Sequence, residues 1–181
     1  MARSFPALPG LYAFLFLYFE PFSAIAGALE ILIWPGTARW HHSLVPSSAP
    51  APAFLDARST MGLWHLSGGY LFLGLIEALT LRVARDHLSD RPADQERIIS
   101  AVLLSLAAYD VAFVTSTIVA LPREILLNPS SWNFMTHANI WLSSVLILVR
   151  FAWHAGIGRT SFGGISGSAA KDKVTSGKKQ K

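Results

Sequence analysis

Four long apolar stretches alternate with polar connections along this chain, and that alternation limits the fold more than any motif does. The stretches run over approximately residues 10–34, 61–81, 98–121 and 138–157. Each is near the ~20 apolar residues needed to cross a hydrocarbon layer ~30 Å thick. Their edges carry the marks of helix ends in a bilayer. Pro9-Gly10 opens the first stretch and Trp34-Pro35-Gly36 closes it. Arg82 and Arg85 end the second, and Pro122-Arg123 ends the third. Trp132 and Trp141 flank the start of the fourth, at the headgroup depth that aromatic rings favour. The expected fold is all-α, a four-transmembrane-helix bundle over residues 1–160. Residues 161–181 are rich in Gly, Ser and Lys, cannot bury enough apolar surface to order themselves, and are expected to form a disordered basic tail.

Composition agrees with this segmentation. Hydrophobic residues make up 52% and charged residues 14% of the chain, against about 25% charged in an ordinary soluble domain. Arg3 and Ala24-Ile25-Ala26 could serve a cleaved signal peptide. However, Glu20-Pro21 interrupts the apolar run, where a signal needs ~7–15 uninterrupted apolar residues. The net charge of +4 owes much to tail lysines with no aromatic residues among them, so no nucleic-acid partner is expected. The absence of cysteine excludes disulfides and thiolate chemistry.

Orientation comes from counting Lys and Arg. With four spans, the N-terminus, the second loop and the tail share one side and hold eleven basic residues, against three (Arg39, Arg58 and Arg123) on the other. The expected topology is N-in/C-in. A glycosylation acceptor inserted in the 43–52 loop should be modified, and one inserted in the 86–94 loop should not. The reverse pattern in microsomes would overturn the orientation.

The informative residues are the ionisable ones inside the apolar stretches: Glu20, Glu30, Glu77, Asp110 and Arg150. A charge at a helix centre costs ~2.5–3.5 kcal/mol on insertion scales, so such groups usually face the bundle interior and find partners. Counted from the cytoplasmic boundary, Glu20 lies about ten residues in, Asp110 about twelve, Arg150 about eight and Glu77 about five, or ~8–18 Å deep. Glu30 lies near the opposite interface. At about 100° per residue, Asn139, Ser143, Arg150 and His154 share one face, as do Tyr70, Gly74 and Glu77. Asp110 shares a face with Thr117, and Glu20 with Ala13, Ala24 and Gly27. On depth, Arg150 is expected to pair with Asp110 or Glu77. Three acids against one arginine leave an acidic excess, from which one carboxyl is expected to keep its proton.

Glu20, Asp110 and Glu77 are thus the candidate acids, and Tyr70, Gly74, Thr117, Asn139, Ser143, Arg150 and Trp132 the candidate pocket residues. The opposing reading is that the charges only fix helix packing. His41-His42 is expected in a loop as a solvated pair. No metal or cofactor motif occurs, and none is expected to bind. Gly156-Ile157-Gly158 reads as a helix exit, not as a dinucleotide loop.

Three stretches resemble a fungal membrane-protein family known as domain of unknown function 7704. They are Phe16-Leu17-Tyr18-Phe19-Glu20-Pro21 with the small residues to Gly27, then Leu81-Arg82-Val83 with Asp110, and last Trp132-Asn133 through Asn139 to Arg150-Phe151 and Gly156-Ile157-Gly158. The likeness covers most of residues 7–158. It implies a small endomembrane protein, in the endoplasmic reticulum or a related membrane, sometimes an accessory to secondary-metabolite pathways.

Three functional readings fit this pattern. The first is a pocket for an apolar, lipid-like molecule, isoprenoid or polyketide-derived. The second is an acid-initiated terpenoid-type cyclase or isomerase using Glu20 or Asp110; here four-span sterol isomerases and multi-span terpene cyclases offer fold analogy only. The third is a non-catalytic assembly or chaperone-like subunit with membrane-protein partners.

Overall fold

The computed structural model describes residues 5–162. The tail expected to be disordered falls almost wholly outside them. The described residues form helices and connections, with no strand. In chain order the helices are α1 (Leu11–Leu32), α2 (Thr37–Ser43), α3 (Ala57–His87), α4 (Pro92–Ala120), α5 (Arg123–Leu126) and α6 (Phe134–His154). Four of them, α1, α3, α4 and α6, are long and apolar enough to cross a membrane.

Both α3 and α4 extend beyond the apolar stretches that announce them. At the start of α3, Asp56 accepts hydrogen bonds from the amides of Arg58 and Ser59 at 2.9 and 3.1 Å, which caps the helix. The Ser59 hydroxyl, with those amides, holds the Asp56 carboxyl below its usual range. At the other end α3 runs on through Arg82, Arg85 and His87, and α4 begins at Pro92 among charged residues. Proline suits a first helical turn because its missing N–H would have no helical partner there.

The bundle is built as two helix pairs, α1 with α3 and α4 with α6. Small side chains allow the first pair to close tightly. The Ser67 hydroxyl donates to the Ala28 carbonyl at 3.0 Å. A Cβ built on Gly74 would lie 2.8 Å from the Pro21 carbonyl oxygen and 2.9 Å from Ile25, so only glycine fits there.

The N-terminal segment, the α3–α4 connection and the residues after α6 meet at one end of the bundle. Trp153 is buried there beside Ala7, Leu8, Phe16 and Ile99, and its indole N–H donates to the Ala7 carbonyl at 3.0 Å. Beyond α6, Gly156 adopts φ 76°, and the Ile157 amide returns to the Ala152 carbonyl at 3.0 Å. This is the left-handed helix exit that only glycine makes without strain. Arg159 then folds back over the Trp153 ring at 4.0 Å and pairs with Glu96 at 2.7 Å. At the distal end α2 lies across the bundle, with Trp40 buried against Ile31 and Leu63. The Asn133 amide donates to the Ser43 carbonyl at 2.8 Å, while its oxygen accepts from the Thr136 amide at 2.8 Å and caps α6.

Candidate functional site

The site begins with a break in helix regularity. In α1, residues Leu15–Phe19 form a π turn, and the Glu20 amide donates to the Leu15 carbonyl five residues back. Pro21 stands directly after it. A proline ring collides with the carbonyl one turn earlier in a regular α-helix and offers no N–H to it. The wider turn relieves that collision. It also inserts one residue, which rotates the rest of α1 by roughly 100° about the helix axis. A second π turn, Ala138–Leu142, lies in α6 and carries Asn139. No proline marks it, and nothing in the local sequence announces it.

Arg150 is fully buried. One guanidinium nitrogen donates to Asp110 of α4 and another to Glu20 of α1, both in very close contact. The guanidinium also lies 5.5 Å from the centre of the Phe16 ring. Glu77 of α3 is only 2% exposed and lines the same pocket as Glu20. All four long helices thus bring a charged side chain to one buried cluster. The partner assignment differs in part from the depth estimate: Asp110 pairs as expected, but Glu20, not Glu77, takes the second guanidinium nitrogen. The counted depths already put Glu20, about ten residues in, nearer to Arg150, about eight, than Glu77, about five; depth gives the layer, and the π turn helps set the face on which Glu20 emerges.

Two carboxylate oxygens of the cluster, Glu20 Oε2 and Glu77 Oε1, are buried with no hydrogen-bond partner among the described residues. Both residues line a pocket of about 400 Å³ that runs between the two helix pairs toward the distal end. Its walls are mostly apolar, from Leu73, Leu106, Phe113, Met135 and Leu146 among others. Tyr70, Tyr109, Asn139 and Ser143 add polar groups at intervals. Glu30, exposed as its interfacial position suggests, edges the pocket, and Trp40 closes over it from α2.

Of the residues singled out from sequence, Glu20, Glu77, Asp110, Tyr70, Asn139 and Ser143 line this pocket. Four others stand elsewhere. Arg150 lies behind the carboxylates, and Gly74 is in the α1–α3 seam. The Thr117 hydroxyl donates to the Phe113 carbonyl of its own helix at 2.9 Å. The Trp132 indole donates to the Ile125 carbonyl at 2.7 Å and ties α5 to the start of α6. His41 and His42 are on α2, not in a loop; the seven-residue helix fits between the cis Trp34-Pro35 turn and the Ser-rich connection. Trp40 and Tyr109 were missed as pocket residues. Tyr109 sits at helical spacing from Leu106 and Phe113, which line the same pocket, whereas Trp40 depends on how α2 folds back.

A carboxylate paired with guanidinium acts only as an acceptor. Glu20 and Asp110 are both engaged in that way, and Glu77 is the carboxyl that Arg150 does not hold.

Compared with known proteins, residues 5–160 match the family described as domain of unknown function (DUF7704). No curated protein and no solved structure matches the chain.

Proposed function

We propose that this chain, which belongs to the DUF7704 family, holds an apolar, lipid-like molecule inside the membrane, in the pocket between its helix pairs. The observation that carries this reading is the pairing of a mostly apolar wall with two unpartnered buried carboxylate oxygens at its inner end. A buried acceptor without a donor costs about 1–3 kcal/mol, more when charged. A ligand bearing one polar group on an apolar skeleton would recover that cost and bury its own apolar surface. Ligand pockets of this kind are commonly ~300–1,000 Å³, apolar, with few convergent polar groups. An isoprenoid or polyketide-derived molecule has the right character, and an endomembrane is where such a molecule would be met.

Extraction of the purified protein and mass spectrometry of what it carries tests the reading. One compound class should co-purify at near-stoichiometric level. Ser143→Phe, which fills the pocket from α6, should reduce it at least tenfold. Leu148→Phe, on an exposed part of the same helix, should not. Equal recovery of the same lipids from all three proteins would sink the proposal. A rearranged product in the extract, lost in Glu77→Gln, would add acid catalysis to binding.

A further inference from the structure

The charge inventory of the pocket goes beyond its apolar character. Apart from the two tyrosines, four of its lining residues are ionisable, and all four are carboxylic acids: Glu20, Glu30, Glu77 and Asp110. No Lys, Arg or His is among them. The cation of the buried cluster, Arg150, lies behind Glu20 and Asp110 and is used by them. The free acceptor oxygens of Glu20 and Glu77 lie at the inner end, and Glu30 lies about three helical turns away at the outer edge, roughly 15 Å along α1 at 1.5 Å per residue.

The pocket is also open in a particular direction. Along it, α1 and α6 make few direct contacts. The outer lining residues on the two helices, Phe22 and Phe134, are 72% and 85% exposed. Both line the pocket and also face the outside of the bundle, one on α1 and one at the start of α6.

We infer that the pocket selects a cationic amphiphile: an apolar chain or ring system carrying one protonated amine, admitted from the bilayer between α1 and α6, with its ammonium group against Glu77 and Glu20. An ammonium supplies hydrogen-bond donors and no acceptor, and so matches an all-acid lining. A fatty carboxylate or a phosphate ester meets like charge with no cation to offset it. A neutral alcohol satisfies one oxygen but brings no positive charge to the acids. This inference rests on the pocket reading above and sharpens it to a ligand class.

The test compares dodecylamine, dodecanol and dodecanoate, three probes with the same chain and different heads. Binding is read by calorimetric titration of the full chain in nonionic-detergent micelles or nanodiscs at neutral pH. The amine should bind at least tenfold tighter than the alcohol, and the carboxylate should bind weakest. Glu77→Gln should remove most of the amine's advantage over the alcohol. Because Glu77→Gln removes a surplus acid, it should fold; Glu30→Gln, at the exposed edge, is a second variant expected to reduce amine affinity several-fold. Similar binding of all three probes, abolished by Ser143→Phe, would overturn amine selection and keep the pocket. An amine advantage unchanged in both Gln variants would also overturn it. Failure of every probe to bind would overturn both readings.

Discussion

Arg150→Leu is expected to destabilise the protein by about 3–5 kcal/mol, the usual loss when one partner of a buried ion pair is removed. Arg150 is fully buried and donates to both Glu20 and Asp110. Leucine fills much of the space but leaves carboxyls from three helices together with no cation. The rescue pattern is more diagnostic than the loss. Neutralising one acid, as Glu20→Gln or Asp110→Asn, should recover only part of the stability, because each engages a different guanidinium nitrogen. The triple variant should approach the parent, since replacing a whole buried ionic group with neutral side chains is often tolerated. Thermal unfolding in detergent, followed by helical signal, measures all of these proteins. A single acid replacement that restores everything would mean that only one acid pairs with Arg150.

Gly74→Val should be comparably damaging, for a steric reason alone. Even a Cβ would fall 2.8 Å from the Pro21 carbonyl oxygen and 2.9 Å from Ile25. The first obstacle is backbone and cannot rotate away. Helices α1 and α3 must separate, and the shift moves Glu20 relative to Glu77. We expect a loss of at least ~3 kcal/mol, at the upper end of what overpacking costs. Gly74→Ala should show a smaller loss of the same kind. Gly62→Val, at a position with nothing within 4 Å, is the control and should lose far less. Equal melting temperatures for Gly74→Val and Gly62→Val would remove the close seam from the fold.

The spans were legible in the sequence because a bilayer demands length and apolarity together, and few other contexts produce four such stretches. Helix ends were less legible. Arg82 to His87 and Pro92 to Arg97 are helical although they are too polar for hydrocarbon. Hydropathy reports where the lipid ends, not where the backbone stops coiling. The intramembrane ionisable residues were legible for the same reason as the spans: charges are rare in lipid, so Glu20, Glu77, Asp110 and Arg150 stood out. Their exact pairing was not. It depends on the π turn at Leu15–Phe19, whose cause, Pro21, is visible but whose geometry is not. The Arg159–Glu96 pair was missed because nothing local to either residue links positions 63 apart.

The distance in sequence between the charged partners has a consequence for how the protein is made. Glu20 and Arg150 are 130 positions apart, and Arg150 lies on α6, which leaves the ribosome after α1, α3 and α4. Proteins are synthesised from the N-terminus, so α1, α3 and α4 reach the membrane before the cation that pairs with their acids. During that interval three acid groups must stay near water or enter the lipid uncharged. The tight α1–α3 seam can form without Arg150 and would shelter Glu20 and Glu77 meanwhile. Arrival of α6 then brings the guanidinium that Glu20 and Asp110 pair with, and a chain without α6 leaves both of these acids without it.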